Sequence, residues 1–281
     1  MTNTGLATPA SLPTEVAALR PIRADLMERL RHEALTVPGN WVVEYGDYQN
    51  GGWHTLSLLN DTGNPRDVTI RDCPEPVATS LLTRMPAVRE LLAELGLRCM
   101  WARLARLEAG AFLWEHRDYG ELNDVERHRV HVPLVTNSSA YLILGGTKVH
   151  MSDGRVWRLT PTSPHGVCNR FGPARIHLVI DCYADDAFTA LNASADSVAD
   201  SVAALPTPAA DELEEHVATA SGLAQLGYDR AAETTLLELF YRYALPEGQV
   251  YDLIALMYAA LHRDEDAERW RSKKAIMLGH A

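Results

Sequence analysis

The sequence predicts a mostly-β core, a sandwich or jelly roll, with helices before it and a helical part after it. Two observations carry that reading. From Leu97 to about Tyr183, short apolar runs follow one another at even spacing, separated by turn residues such as Gly110, Asn137-Ser138-Ser139, Gly145-Gly146 and Asp153-Gly154. On either side of that region apolar residues recur at helical spacing instead. At roughly 150 residues per domain, 281 residues make about two domains. The divisions read as an N-terminal segment and helix over 1–40, a β core over 41–190 and a helical domain over 205–281.

In order along the chain, residues 1–12 read as a frayed start. A helix is expected from Pro13, capped by Thr14. Val16, Leu19, Ile22, Leu26 and Leu30 lie on one face, and Pro38-Gly39 stops it. Strands are expected at 41–46 and 53–59 around the turn Asn50-Gly51-Gly52, followed by a turn over 60–67. Residues 76–95 carry a helical stripe that Pro86 divides and Gly96 ends. The core strands are expected at 98–107, 111–116, 128–135, 140–144, 147–151, 155–159, 166–170 and 174–182. The stretch 196–210, rich in Ala and Pro, reads as a linker. Four helices follow over 211–226, 229–244, 247–262 and 264–278, with Leu237, Phe240, Ile254, Met257 and Leu261 among their buried residues.

Composition narrows the function. A net charge of −11 argues against nucleic acid or an anionic membrane as the main partner. No apolar run approaches the roughly 20 residues of a membrane helix, and the first residues lack the basic and apolar regions of a secretory signal. Cys73, Cys99, Cys168 and Cys182 form no CxxC and read as buried thiols in a reducing cytoplasm.

The chemistry concentrates around His116-Arg117-Asp118. On a regular strand His116 and Asp118 leave the same face. An H-x-D pair plus a later His on a facing strand makes a facial triad that leaves adjacent positions on Fe(II) open, and His165 is the natural third member. Taken alone, the pair is equally a surface His beside a turn Asp. Two strands then repeat one pattern, Arg129-Val-His131 and Arg175-Ile-His177, with Arg and His sharing a face. Such charged alternation faces either water, as on an open sheet, or a polar cavity. A dicarboxylate needs such a cavity, because the arginine fork grips a carboxylate bidentately. Trp114, two before His116, is a candidate pocket wall or core residue. Arg103, Arg106 and Arg117 are candidates to receive a substrate carboxylate, although regular alternation turns at most one of Arg103 and Arg106 inward.

Together these residues mark a family. The stretch from Trp53 to Asp181 resembles the aspartyl/asparaginyl β-hydroxylase family of Fe(II)/2-oxoglutarate dioxygenases, most of all its bacterial L-proline cis-4-hydroxylase branch. The resemblance rests on His116-Arg-Asp118-Tyr, Arg129-Val-His131-Val-Pro-Leu, Trp157, Pro164-His165 and Arg175-Ile-His177-Leu-Val-Ile-Asp181. It implies a double-stranded β-helix (jelly roll, cupin-like), with His116, Asp118 and His165 as iron ligands. Arg175 would anchor the distal carboxylate of 2-oxoglutarate, and Arg129 and His131 would lie near its keto-acid end or the substrate. The implied reaction consumes O2 and 2-oxoglutarate, releases succinate and CO2, and hydroxylates a C–H bond of a free L-amino acid, with L-proline first. A peptide or natural-product intermediate is the alternative substrate, and a non-catalytic β-sandwich binding module the alternative function. The C-terminal helices are a candidate homodimer interface.

Overall fold

A computed structural model describes residues 15–44, 46–118, 126–196 and 198–279; the expected frayed start and the Thr14 cap lie outside these. Eight consecutive strands form the centre: β5 (Cys99–Leu107), β6 (Ala111–His116), β7 (Arg127–Val135), β8 (Ala140–Leu144), β9 (Thr147–Val149), β10 (Arg155–Leu159), β11 (His165–Asn169) and β12 (Arg175–Tyr183). They divide between two antiparallel sheets, β10-β7-β12-β5 and β9-β8-β11-β6, the strand order of a jelly roll. The larger sheet is extended by β1 (Val16–Pro21) beside β10 and by β3 (Trp53–Asn60), β2 (Val42–Val43) and β4 (Val77–Ala78) beyond β5. The smaller is extended by β13 (Val202–Ala204).

Alternation along the strands assigns each face. On β12, Ile176, Leu178 and Ile180 point to an outer core shared with α1 (Ala24–Thr36), α2 (Pro86–Leu95) and α3 (Asp186–Asn192). Leu26, Leu30, Val88 and Leu91 supply the helical side of that core. The intervening Arg175, His177, Val179 and Asp181 face the space between the sheets. The outer face of the smaller sheet, through Phe112, Trp114, Tyr141, Ile143 and Cys168, packs against a helical layer of α4 (Ala210–Gln225), α5 (Asp229–Leu237), α6 (Gln249–Ala260) and α7 (Asp264–Leu278). Helices therefore cover both outer faces, and buried His and Arg side chains lie between the sheets among apolar neighbours.

Several elements differ from expectation. The first expected helix is a strand, β1, followed by a shorter helix, α1. Val16 and Ala18 enter the inter-sheet core while Ala17 and Leu19 enter the outer one. Burial on both faces erases the alternation that marks a strand and leaves an apolar run that mimics a helix. In the 76–95 stretch only α2 is α-helical, and Pro86 starts it. Residues 77–78 are strand and 82–84 a 3-10 turn. Gly96 ends α2 in the left-handed conformation, φ 62°. The expected strand at 41–46 is reduced to β2. The helix expected over 229–244 stops at Leu237 and continues as a 3-10 turn to Tyr241. The 196–210 stretch is not a free linker, since β13 pairs with β9 inside it.

Candidate active site

Between the sheets lies a cavity of about 500 Å³, lined by His116, Asp118, Arg129, His131, His165, Arg175 and His177 together with Tyr48, Trp53 and Arg103. His116 ends β6, His165 begins β11, and the two are direct register partners. Asp118 lies just past the strand end, its N–H bonded to Pro161 O at 3.0 Å. Its carboxylate oxygens are 3.4 Å from His116 Nε2 and 3.4 Å from His165 Nε2. The three side chains are buried, with ligand atoms within 4.8 Å of one another.

This donor set fits a divalent ion of intermediate softness. His116 Nδ1 bonds Trp114 O at 2.7 Å and His165 Nδ1 bonds Ser163 O at 2.8 Å. Each carbonyl accepts the Nδ1 proton, so the Nε2 lone pairs face Asp118. Burial and the neighbouring His116 push His165 down to about 4, which keeps it neutral near pH 7. Burial opposes ionisation of Asp118, but the Arg129 guanidinium outweighs it and holds the carboxyl well below its ordinary value. Arg129 grips Asp118 through Nη1 and Asp181 through Nε and Nη2, the latter two at 3.0 and 3.1 Å.

Arg175 is 5% exposed, and among the described residues no carboxylate pairs with it. Its Nε and Nη2 lie 3.0 and 2.7 Å from the ring nitrogens of His177, and Nη1 has no partner. Burial pushes the guanidinium down to about 9, still protonated at neutral pH. Among the described residues both ring nitrogens of His131 are likewise buried without a hydrogen-bond partner. Burial and the adjacent Arg175 hold His131 well below the usual histidine range, so it is a neutral ring. A buried unpaired cation is costly, and an anionic ligand carboxylate offsets that cost. The two Arg-x-His strands therefore face an enclosed polar cavity rather than open water.

The other expected site residues divide. Trp114 does not wall the cavity. It stacks on Phe112, centroids 5.6 Å apart, in the core shared with the helices. The cause is a β-bulge: His165 pairs with His116 but Val167 pairs with Leu113, so Trp114 and Glu115 together oppose Gly166. Leu113 and His116 both face inward as a result. Arg106 also lies outside the cavity, paired with Glu108 at 2.5 Å over the face of Trp41. The inward member of the β5 arginines is Arg103, 2% exposed, 3.6 Å from Glu44 and over Trp101 at 3.9 Å. Arg117 stands at the rim, with Nη1 on Thr162 O at 2.6 Å and Nη2 on Glu247 at 2.8 Å. Tyr48, edge-on to His116 at 5.8 Å, and Ile276 of α7 also line the cavity; their loop and helix-end positions gave no sequence signal.

The aspartyl/asparaginyl β-hydroxylase profile matches residues 17–185. The chain is 26% identical to L-proline cis-3-hydroxylase 1 of a Streptomyces species over 84% of this chain and 85% of that one. It is 30% identical to L-proline cis-4-hydroxylase of Rhizobium meliloti over 49% of this chain and 50% of that one. An oxidoreductase of the 2OG-Fe(II) oxygenase family from Burkholderia pseudomallei superposes with TM-score 0.47 and 14% identity, over 63% of this chain and 89% of that one.

Proposed function

Since the chain belongs to the aspartyl/asparaginyl β-hydroxylase family, we propose that it hydroxylates a free L-amino acid at the His116/Asp118/His165 centre, with L-proline the first candidate. The enzyme class is that of an Fe(II)/2-oxoglutarate-dependent dioxygenase. The balance is 2-oxoglutarate, O2 and a substrate C–H in; succinate, CO2 and a C–OH out. One oxygen atom enters succinate and the other the alcohol.

The observation that carries this reading is a ligand-ready His2Asp cluster sharing one cavity with a buried arginine that, among the described residues, has no carboxylate partner. His116 and His165 would hold Fe(II) through Nε2 and Asp118 through its carboxylate, and the iron supplies the oxidative chemistry. Arg129 keeps Asp118 ionised and aimed. Arg175 Nη1 receives the distal carboxylate of 2-oxoglutarate, and His131 donates or accepts beside it as a neutral ring. Arg103, backed by Glu44, receives the carboxylate of the amino acid. Leu113, Val167 and Val179 exclude water from the reacting C–H. The enclosed cavity, with α7 and Arg117 at its rim, favours a free amino acid over a peptide.

Screening the twenty amino acids for 2-oxoglutarate-coupled succinate release tests the proposal, with the product position read by NMR. Stimulation by one small amino acid, L-proline foremost, is expected. Coupling only to a peptide or to a larger intermediate overturns the substrate assignment, and no coupling to any substrate overturns the reading.

A further inference from the structure

The segment that carries two of the three proposed ligands is held by the C-terminal helical layer rather than by its own sheet alone. In the β6 bulge two residues oppose one, which interrupts the regular ladder there. Helical residues fill that gap. The Tyr241 hydroxyl donates to Leu113 O, with Val167 O 3.4 Å away. The Tyr251 hydroxyl donates to Glu115 O at 2.5 Å. Gly248 N, at the start of α6, donates to the Glu115 carboxylate at 3.0 Å. Beyond His116, Arg117 N donates to Met277 O of α7 at 2.9 Å. Tyr241 and Tyr251 are buried, 2% and 0% exposed.

The carbonyl between the two tyrosine-held ones is Trp114 O, and it is this oxygen that accepts the Nδ1 proton of His116. Fixing the peptides on both sides fixes the direction of Trp114 O, and that direction sets the imidazole. Gly166 leaves room for the arrangement: a Cβ there would lie 2.6 Å from the Tyr241 hydroxyl oxygen and 2.7 Å from Phe240. We propose that Tyr241 and Tyr251 are positioning residues for the metal centre, through which the C-terminal helical layer sets the aim of His116. This inference rests on the ligand assignment made above. Partners one step removed from a ligand, the place that Trp114 O holds, typically change metal affinity by about 10- to 100-fold when removed; the tyrosines stand one step further out, so the low end of that range is expected.

The test is a Co(II) titration of the full chain, followed by visible absorption, with thermal unfolding recorded in parallel. Tyr241→Phe/Tyr251→Phe removes both hydroxyls and keeps the rings. Tyr258→Phe is the control, because its hydroxyl bonds Glu233 at 2.9 Å within the same helical layer. The expected result is Co(II) affinity about tenfold weaker with an altered band shape in the double variant, and wild-type affinity in Tyr258→Phe even where its Tm falls. Affinity and band shape within about twofold of wild type in the double variant, or an equal loss in the control, overturns the proposal. If the double variant does not fold, the same comparison is read on each single variant, with a weakening in each expected and unchanged affinity in both overturning it. Failure of the wild-type protein to bind Co(II) is a different outcome, and it overturns the ligand assignment itself.

Discussion

Arg175 and Arg103 line one cavity and are the two proposed carboxylate receptors, which single substitutions separate. Replacing Arg175 with Ala removes a buried cation that no carboxylate among the described residues balances. The expected result is a rise in the KM for 2-oxoglutarate of about 30-fold or more, the equivalent of roughly 2 kcal/mol, measured by succinate release at saturating amino acid. An unchanged KM with activity retained places the anchor elsewhere. Arg103→Ala is expected to raise the KM for the amino acid by about tenfold or more while moving that for 2-oxoglutarate by less than about twofold. Equal effects on both would contradict the division of roles. Residue chemistry was the most legible part of the sequence: His116, Asp118, His165, His131 and Arg175 all reach the cavity. H-x-D and Arg-x-His spacings survive as long as each strand alternates. Whether Trp114 walls the pocket or packs in the core was not legible, because a bulge is a property of two paired strands, and one strand's sequence does not show it. Which of Arg103 and Arg106 points inward was not legible either, because alternation names two faces without saying which is the inner one.

At the scale of elements, the β6 bulge and the helices behind it form one unit. Glu115 lies at its centre, 3% exposed, and burial, reinforced by Glu247, pushes its carboxyl up to about 8 from 4.5. A carboxyl raised on folding contributes stability that is fully present below about 4.5 and is lost as pH rises through about 8. Thermal unfolding of the metal-free protein should therefore show Tm declining between pH 6.5 and 8, and Glu115→Gln should flatten that decline. A variant whose Tm tracks that of wild type across this window would show that Glu115 is ionised throughout. The strands of the centre were readable because even spacing and turn residues survive burial, and β6, β8 and β10 fall on their expected residues. β1 was not readable, because Val16 to Leu19 are buried on both faces and carry no period of two. β2 and β13 are too short for any period to register.

Over the whole molecule, two helical layers cover two sheets, and the cavity lies between the sheets. Among the described residues no helix is long and apolar enough to cross a membrane. Sequence periodicity located the C-terminal helices but not their attachment, since their core with Phe112, Trp114, Ile143 and Cys168 joins residues far apart in the chain. That shared core predicts one cooperative unfolding transition. Leu236→Ala, at a fully buried position, should lower its stability by about 2–5 kcal/mol without splitting it. Two resolved calorimetric transitions would instead make the helical layer an independent domain. The central claim is that three side chains, distant in sequence, form one ferrous site beside a 2-oxoglutarate anchor. The most direct measurement is the visible absorption of the full chain under anaerobic Fe(II) and 2-oxoglutarate, with His116→Ala alongside. A weak charge-transfer band that requires both additions, and that is lost in a folded His116→Ala variant, is predicted. A folded wild-type protein without the band, or a variant that keeps it, would contradict the account.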